Sequence, residues 1–416
     1  MKNPIDKVFR SLNFVRGFKR KRGMTDIFFG TTTTLNRFSF LRTNDDFISK
    51  TILDPLSPAR LVFYKQDGKN GIHPYMIQRD GKFGMLNLQL NTLPSQLIRI
   101  LHDWSMKNSK KANDLRDDVT LVFLGLDEDG LDEKYLFNDN SLSGSFIYPN
   151  SYKLKEYPQF KYDKFQGTPY YAIDVTQCQE FQTYLSSFED VKTVNNMMSI
   201  LTVSKNESSL FAYSKMYMDW LMRNKFCPGC GRQVIPVDAG TRLLCKTPKE
   251  ECPVKSSAVS NVCFPRTDPV IIVGAVSSDG KKILLGNNQR HPAGPNGKRM
   301  FSCIAGFMEP GETIEESTLR EIWEETGCSA REVKIAASQP WPFPANLMIG
   351  CFGIVHFDGV NEVINTELDN ELADCRWFDV DDIKTLLNGG ELDDVSLPME
   401  GSIAYELIKS LALGKY

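Results

Sequence analysis

Residues Glu309–Glu325 read EPGETIEESTLREIWEE, seven glutamates in seventeen positions with Arg320 as the only base. Like charges at helical spacing repel by roughly 0.2–0.5 kcal/mol per pair on an exposed helix. The segment therefore needs a counter-charge from somewhere else. Thr313 followed three residues later by Glu316 is a capping box, and Gly327 suits a left-handed helix stop. At 100° per residue, Glu321 and Glu325 fall about 40° apart, with Glu324 about 60° to the other side. Leu319, Ile322, Trp323 and Thr326 lie opposite them, so the spacing predicts a helix that packs through those residues and aims three carboxylates outward. A solvated acidic face is the ordinary account of a charge run, but such faces interleave Lys at i+4 and this one has none. Converging carboxylates on a rigid helix are the hard oxygen ligands that Mg²⁺ or Mn²⁺ takes, commonly together with substrate phosphates.

A second cluster is built on sulfur. CPGCGRQVIPVDAGTRLLCKTPKEEC sets Cys227 and Cys230 in a C-x-x-C turn, with fourteen residues between Cys230 and Cys245 and six between Cys245 and Cys252. Two loops that each present thiolates are what tetrahedral Zn²⁺ needs. A redox pair would not need the second two cysteines, although the lengthened second loop leaves Cys263 as a substitute fourth ligand. A four-thiolate site is closed, so this metal would hold the fold and leave no place for substrate. Cys178, Cys263, Cys303, Cys328, Cys351 and Cys375 stand singly among apolar neighbours, as small buried hydrophobes do.

Around these clusters, 416 residues allow two or three domains. A net charge of −3 offers no general attraction for nucleic acid or anionic membrane. No run reaches the ~18 apolar residues of a membrane span, and no signal-peptide core follows the start, so a soluble, intracellular protein is expected. Residues 1–23 hold one acid, Asp6, and end in the basic run Lys19–Arg22. A solvated extension, a basic tail and a mitochondrial targeting segment all fit, and Met24 allows a later start. Residues 24–206 mix strand-like runs, such as 120–126 and 168–175, with polar loops, giving an N-terminal α+β domain. From Glu207 to Lys225 apolar residues recur every three or four positions, predicting a helix that runs into the cysteine cluster, so 207–262 forms a linking helix and ribbon. A strand over 264–276 opens a C-terminal domain, 263–416.

The acidic stretch resembles the Nudix box, G-x5-E-x7-R-E-U-x-E-E-x-G-U with U apolar. Gly306, Glu312, Arg320, Glu321, Ile322, Glu324, Glu325 and Gly327 match it, with Cys328 in the last apolar place. Further on, SQPWPFPANLM (338–348) resembles SQPWPFP-x-S-LM, the signature of the NADH pyrophosphatase group of Nudix hydrolases, with Asn346 for the usual serine. FFG…LNRFSFLR (28–42) and FPRTDP (264–269) extend the likeness over nearly the whole chain, closest to the fungal, zinc-ribbon type.

The resemblance implies an α+β fold in three parts: N-terminal mixed domain, zinc ribbon and C-terminal Nudix α/β/α sandwich, assembled as a homodimer. It implies hydrolysis of NADH or NAD⁺ to reduced or oxidised nicotinamide mononucleotide and AMP, with two to three Mg²⁺ or Mn²⁺ ions. One structural Zn²⁺ per subunit would sit on Cys227, Cys230, Cys245 and Cys252. The ligands of the catalytic ions would be Glu321, Glu325, Glu371 and the carbonyl of Ala305. Glu325 is the candidate base, with Glu324 second, while Arg320 orients the glutamates and Glu312 fixes the loop through it. Substrate contacts would come from the loop Gln339, Pro340, Trp341, Pro342, Phe343, Pro344, Ala345 and Asn346, and from Ala404. Phe264 takes the place of a tyrosine that stacks on nicotinamide from the partner subunit, and Phe307 offers a second stacking face. Gly240 stands where relatives carry an acidic contact. His73, His102, His291 and His356 lie outside all these motifs, which argues against histidine catalysis.

The same bond is cut when an NAD cap is removed from the 5′ end of RNA, so that activity is a second expectation. A non-catalytic ribbon module is a third, opposed by the intact glutamate set. The cytoplasm is the expected compartment, then the peroxisome, since the terminal Gly-Lys-Tyr is not an S-K-L address, then the mitochondrion.

Overall fold

The computed structural model describes residues 28–30, 35–55, 57–68, 71–79, 82–109, 118–127, 160–163, 165–256, 264–290, 293–294 and 297–416. The basic segment 1–23 and Cys263 lie outside them. In chain order the elements are β1 (Leu35–Asn36), α1 (Asp45–Leu53), β2 (Arg60–Gln66), β3 (Ile72–Arg79), β4 (Lys82–Met85), β5 (Asn87–Gln89), α2 (Ser95–Ser109), β6 (Thr120–Asp127), β7 (Phe160–Tyr162), β8 (Phe165–Asp174), α3 (Gln179–Ser186), β9 (Val191–Thr193) and α4 (Lys205–Arg223). The hairpin β10 (Val234–Val237) and β11 (Arg242–Cys245) follows. Then come β12 (Asp268–Ser277), β13 (Lys282–Asn288), β14 (Arg299–Met300), β15 (Ile304–Phe307), α5 (Ile314–Thr326), β16 (Ala330–Trp341), β17 (Asn346–Val355), β18 (Leu372–Asp379), α6 (Val380–Leu387), β19 (Val395–Ser396) and α7 (Ile403–Ala412). The class is α+β. Among the described residues no helix is long and apolar enough to cross a membrane.

The chain divides into two compact units. One comprises Phe28–Val270 together with Ser338–Met348, and the other Ile271–Ala337 together with Ile349–Tyr416. In the first, a sheet runs β1-β6-β8-β2-β3-β4, with β2 and β8 parallel and the other pairings in that series antiparallel. The expected strands 120–126 and 168–175 are its centre, β6 and β8. Successive side chains of a strand point to opposite faces, and the sequence uses both. Leu61, Phe63, Leu121, Phe123, Tyr171 and Ile173 join the residues of α1, α2 and α3 in one core. Val62, Tyr64, Val122, Leu124, Tyr170 and Ala172 join Phe211, Ala212, Met218 and Leu221 of α4 in another. Apolar residues at every position of a strand are the mark of a sheet covered on both sides. The expected helix 207–225 is α4, capped at Ser204 by a box with Glu207.

In the second unit the order is β16-β17-β12-β13-β18, with β15 on β12. β12 begins at Asp268, whose N–H donates to the Ala345 carbonyl at 2.9 Å, rather than at Phe264 as expected. Val273 and Ala275 pack with Ile322 of α5. A side chain on Gly274, between them, would meet Leu411 and Leu407 of α7. Helices thus cover both faces of this sheet, and α5 is held by one of them.

Candidate functional site

Thr313 caps α5 by accepting from Glu316 N–H, the Glu316 carboxylate returns the bond, and Gly327 ends it at φ 74°. The helix packs through Ile322 and Thr326 as expected, but it is turned so that Glu321 and Glu325 join the packed face and Trp323 does not. Glu321 and Glu325 are buried, 7% and 3% exposed, together with Ser317, Thr318, Ile322 and Thr326, whereas Trp323 is 50% exposed. Ranking by hydrophobicity put the tryptophan inside. The structure puts two carboxylates there, because the packed face of α5 also meets β15, where polar backbone is presented. Gly306 makes the approach possible: a Cβ there would lie 2.1 Å from the Glu321 carboxyl carbon. Any side chain at 306 would displace Glu321.

Arg320 is the nearest counter-charge. Its guanidinium donates to Glu312 at 2.5 and 2.9 Å, Glu321 at 2.8 Å, Glu324 at 2.9 Å and the Phe307 carbonyl at 2.9 Å. Bidentate, charge-assisted bonds of this kind are the strong ones. They hold the Glu312 carboxyl down at about 2. Through Glu312, which also accepts from Glu309 N–H, the same arginine pins the loop ahead of the helix. Glu324 stays half-exposed on the arginine.

Glu325 is left out of that network. Its Oε1 is buried with no hydrogen-bond partner. Burial first, then repulsion from Glu321, Glu371 and Asp369, lifts its carboxyl to about 8 against an Ala305 N–H that favours the anion. Glu321 is raised too, by burial. An orphaned, buried carboxylate oxygen among three other acids is what a divalent cation satisfies and what a protein core does not tolerate alone. The donor set is all oxygen, fitting a hard ion. Asp369 escaped the sequence reading. Its signal was adjacency, two residues before Glu371 in the same acidic turn.

Of the other expected residues, Phe307 is 60% and Phe264 55% exposed. Ala404 is buried in the first turn of α7, its carbonyl accepting from the Cys303 thiol at 3.6 Å. Gly240 lies at φ 80°, and a Cβ there would come within 2.2 Å of the Leu121 carbonyl, so no acidic side chain can occupy the position. The loop 338–348 belongs to the first unit. Gln339 is fully buried and donates to the Phe28 carbonyl at 2.9 Å, and Ala345 accepts from Asp268 N–H. Asn346 Oδ1 is buried without a partner.

The sulfur cluster forms as spaced. The Sγ atoms of Cys227, Cys230, Cys245 and Cys252 all lie within 4.8 Å of one another. Individual pairs stand at 3.6, 3.7 and 4.0 Å. The Thr247 hydroxyl, 3.2 Å from Cys230, helps hold that thiol down at about 6. Such a set can bind a metal ion.

Comparison with known proteins adds to this geometry. The NUDIX domain family matches residues 266–397. Over 393 residues the chain is 36% identical to the "NAD-capped RNA hydrolase NPY1" of Saccharomyces cerevisiae, covering 92% of this chain and 94% of that one. It is 38% identical over 253 residues to an "NAD-capped RNA hydrolase" of Schizosaccharomyces pombe, 58% of this chain and 64% of that protein. A mouse protein, "NAD(P)H pyrophosphatase NUDT13, mitochondrial", is 29% identical over 220 residues, 51% and 56% of the two chains.

Proposed function

Because the chain belongs to the Nudix hydrolases of the NADH pyrophosphatase type, we propose that it splits the pyrophosphate of NADH and NAD⁺ with water, giving AMP and reduced or oxidised nicotinamide mononucleotide. The observation that carries this reading is the buried pair Glu321 and Glu325, with Glu325 Oε1 left without a protein partner. Glu321, Glu325, Glu371 and the Ala305 carbonyl hold two to three Mg²⁺ or Mn²⁺ ions. Such ions, when bound, offset the charge of the phosphate oxygens and lower the pKa of the attacking water. Glu325 takes the proton from that water, and Glu324, tethered by Arg320, is the reserve base. Arg320 fixes the directions of Glu321 and Glu324 and does not need to touch substrate. Phe307 and Phe264 give stacking faces, and the loop Gln339–Asn346 with Ala404 contacts the dinucleotide.

The cysteine cluster holds one structural Zn²⁺ per subunit. At a Zn–S bond of ~2.3 Å a tetrahedron has edges of ~3.8 Å, which the sulfur spacings of 3.6, 3.7 and 4.0 Å match. The exposed Phe264 is consistent with a homodimer in which this ring serves the partner's substrate. Removal of NAD caps from RNA breaks the same bond, and the names of the two yeast relatives favour it as a second activity. The test is incubation with Mn²⁺, following AMP from NADH and nicotinamide mononucleotide from NAD-capped RNA; release of neither would overturn the reading.

A further inference from the structure

We infer that Phe29 is a positioning residue for the loop 338–348, an inference that rests on the proposed role of that loop in binding dinucleotide. The residue is held in an unusual way. Its φ is 61°, left-handed for a bulky side chain, and Gly30 N–H closes a tight turn onto the Phe28 carbonyl at 2.7 Å. Conformations of this kind persist only when their surroundings over-determine them. Three observations do so here. The Phe29 N–H donates to the buried Ser208 hydroxyl of α4 at 3.2 Å. The Phe28 carbonyl accepts a second bond, from the fully buried Gln339 amide. The Phe29 ring lies edge-on to both loop aromatics, 5.7 Å and 79° from Trp341, 5.9 Å and 68° from Phe343.

Trp341 and Phe343 are 5.6 Å apart, and Phe211 of α4 stacks against both Phe29 and Phe343 at 6.0 and 6.1 Å. Four rings and two hydrogen bonds therefore join the turn at 28–30, the loop and α4 within one compact unit. Edge-to-face pairs have a preferred geometry as well as an area, so they set the loop's shape in addition to burying it. The loop's own three prolines stiffen the backbone, but nothing in them fixes how Trp341 and Phe343 are turned. Phe29 does, and the Gln339 amide anchors the start of the loop on the Phe28 carbonyl.

Two measurements on the full-length chain test this. Hydrogen exchange of the 338–348 amides should rise about tenfold in Phe29→Ala, with β16 residues 330–337 unchanged; no change would show that Phe29 does not hold the loop. In steady-state NADH hydrolysis with Mn²⁺, Phe29→Ala should raise KM about tenfold with kcat within twofold, and Phe29→Met, which refills the volume, should recover most of the loss. A purely structural defect lowers the folded fraction, and with it apparent kcat, while leaving KM alone. An unchanged KM in Phe29→Ala, or in Phe29→Leu should the alanine variant not fold, overturns the inference. Failure of the unaltered chain to cleave NADH would instead count against the proposed function, and the exchange result would still decide whether the clamp exists.

Discussion

Glu207 in the first unit and Glu325 in the second are the same residue in nearly the same degree of burial, and they do opposite work. Glu207, 5% exposed near the start of α4, accepts from Met85 N–H at 3.0 Å and from the Ser204 N–H and hydroxyl at 3.2 and 2.8 Å. Glu325 is 3% exposed, and its Oε1 accepts nothing. Burial lifts both carboxyls, to about 7 and about 8. A shifted pKa alone does not tell a cap from a reactive site. What separates them is the count of donors around the anion. Glu207 is complete without a ligand, whereas Glu325 Oε1 has no partner among the described residues.

The sharpest way to break this contrast is to remove each carboxylate in turn. Glu325→Gln should lower kcat/KM for NADH by about 10³-fold, combining loss of a base and of an ion ligand, with no loss of thermal stability. Glu207→Ala should leave kcat/KM within twofold and destabilise by about 2 kcal/mol, the cost of a lost cap and an unsatisfied Met85 N–H. A destabilised Glu325→Gln of normal activity would reverse the assignment.

Added Mn²⁺ sharpens it further. An ion bound only by the folded state stabilises by about 2.7 kcal/mol at a hundred times its Kd. Thermal unfolding should show this gain in the unaltered protein and in Glu207→Ala, and little of it in Glu325→Gln. Equal gains in all three would mean that the ion sits elsewhere.

Much of this was legible beforehand. Cys227, Cys230 and Cys245 could be read from residue type and spacing, whereas the lengthened second loop left Cys263 as an alternative to Cys252, which the structure brings to the set. The capping box at Thr313 and the stop at Gly327 were equally local. The orientation of α5 was not. Ile322 and Thr326 pack as the spacing has them, but hydrophobicity, the usual guide to the rest of the face, placed Trp323 inside and the carboxylates outside. The deciding feature is Gly306, whose missing side chain opens space for Glu321 from a different element. Asp369 was missed for a related reason, since its proximity to Glu325 is set by how the turn before β18 folds. The anchoring of loop 338–348 on Phe29 depends on residues some three hundred positions apart, which no spacing rule connects.

Acidity offers a smaller effect with a definite sign. Both folded carboxyls titrate above the usual 4.5, so folding takes up protons and stability falls as pH rises from about 4.5 through the folded values. Glu207 stops contributing near 7, which leaves Glu325 the larger share of the slope up to 8. Without added Mn²⁺, the unaltered protein should lose about 1 kcal/mol between pH 7 and 8 relative to Glu325→Gln. Saturating Mn²⁺ displaces the proton and should erase the difference. A parallel pH dependence in the two proteins would mean that Glu325 titrates normally and is not buried as described.

The smallest expected effect tests the premise of the comparison, that α5 turns its carboxylates inward. Ile322 is fully buried, in the same core as Val273 and Ala275, and Trp323 is its exposed neighbour one position on. Were the helix turned as hydrophobicity suggests, Trp323→Ala would empty a large core volume and cost about 3–5 kcal/mol. With Trp323 half in solvent, the same change should stay within about 0.5 kcal/mol, while Ile322→Ala costs about 2–5 kcal/mol. Urea unfolding of the two variants measures both. A large loss at Trp323 would rotate α5 and bring Glu325 to the surface, where water would complete its hydrogen bonds and no ion would be needed to explain them.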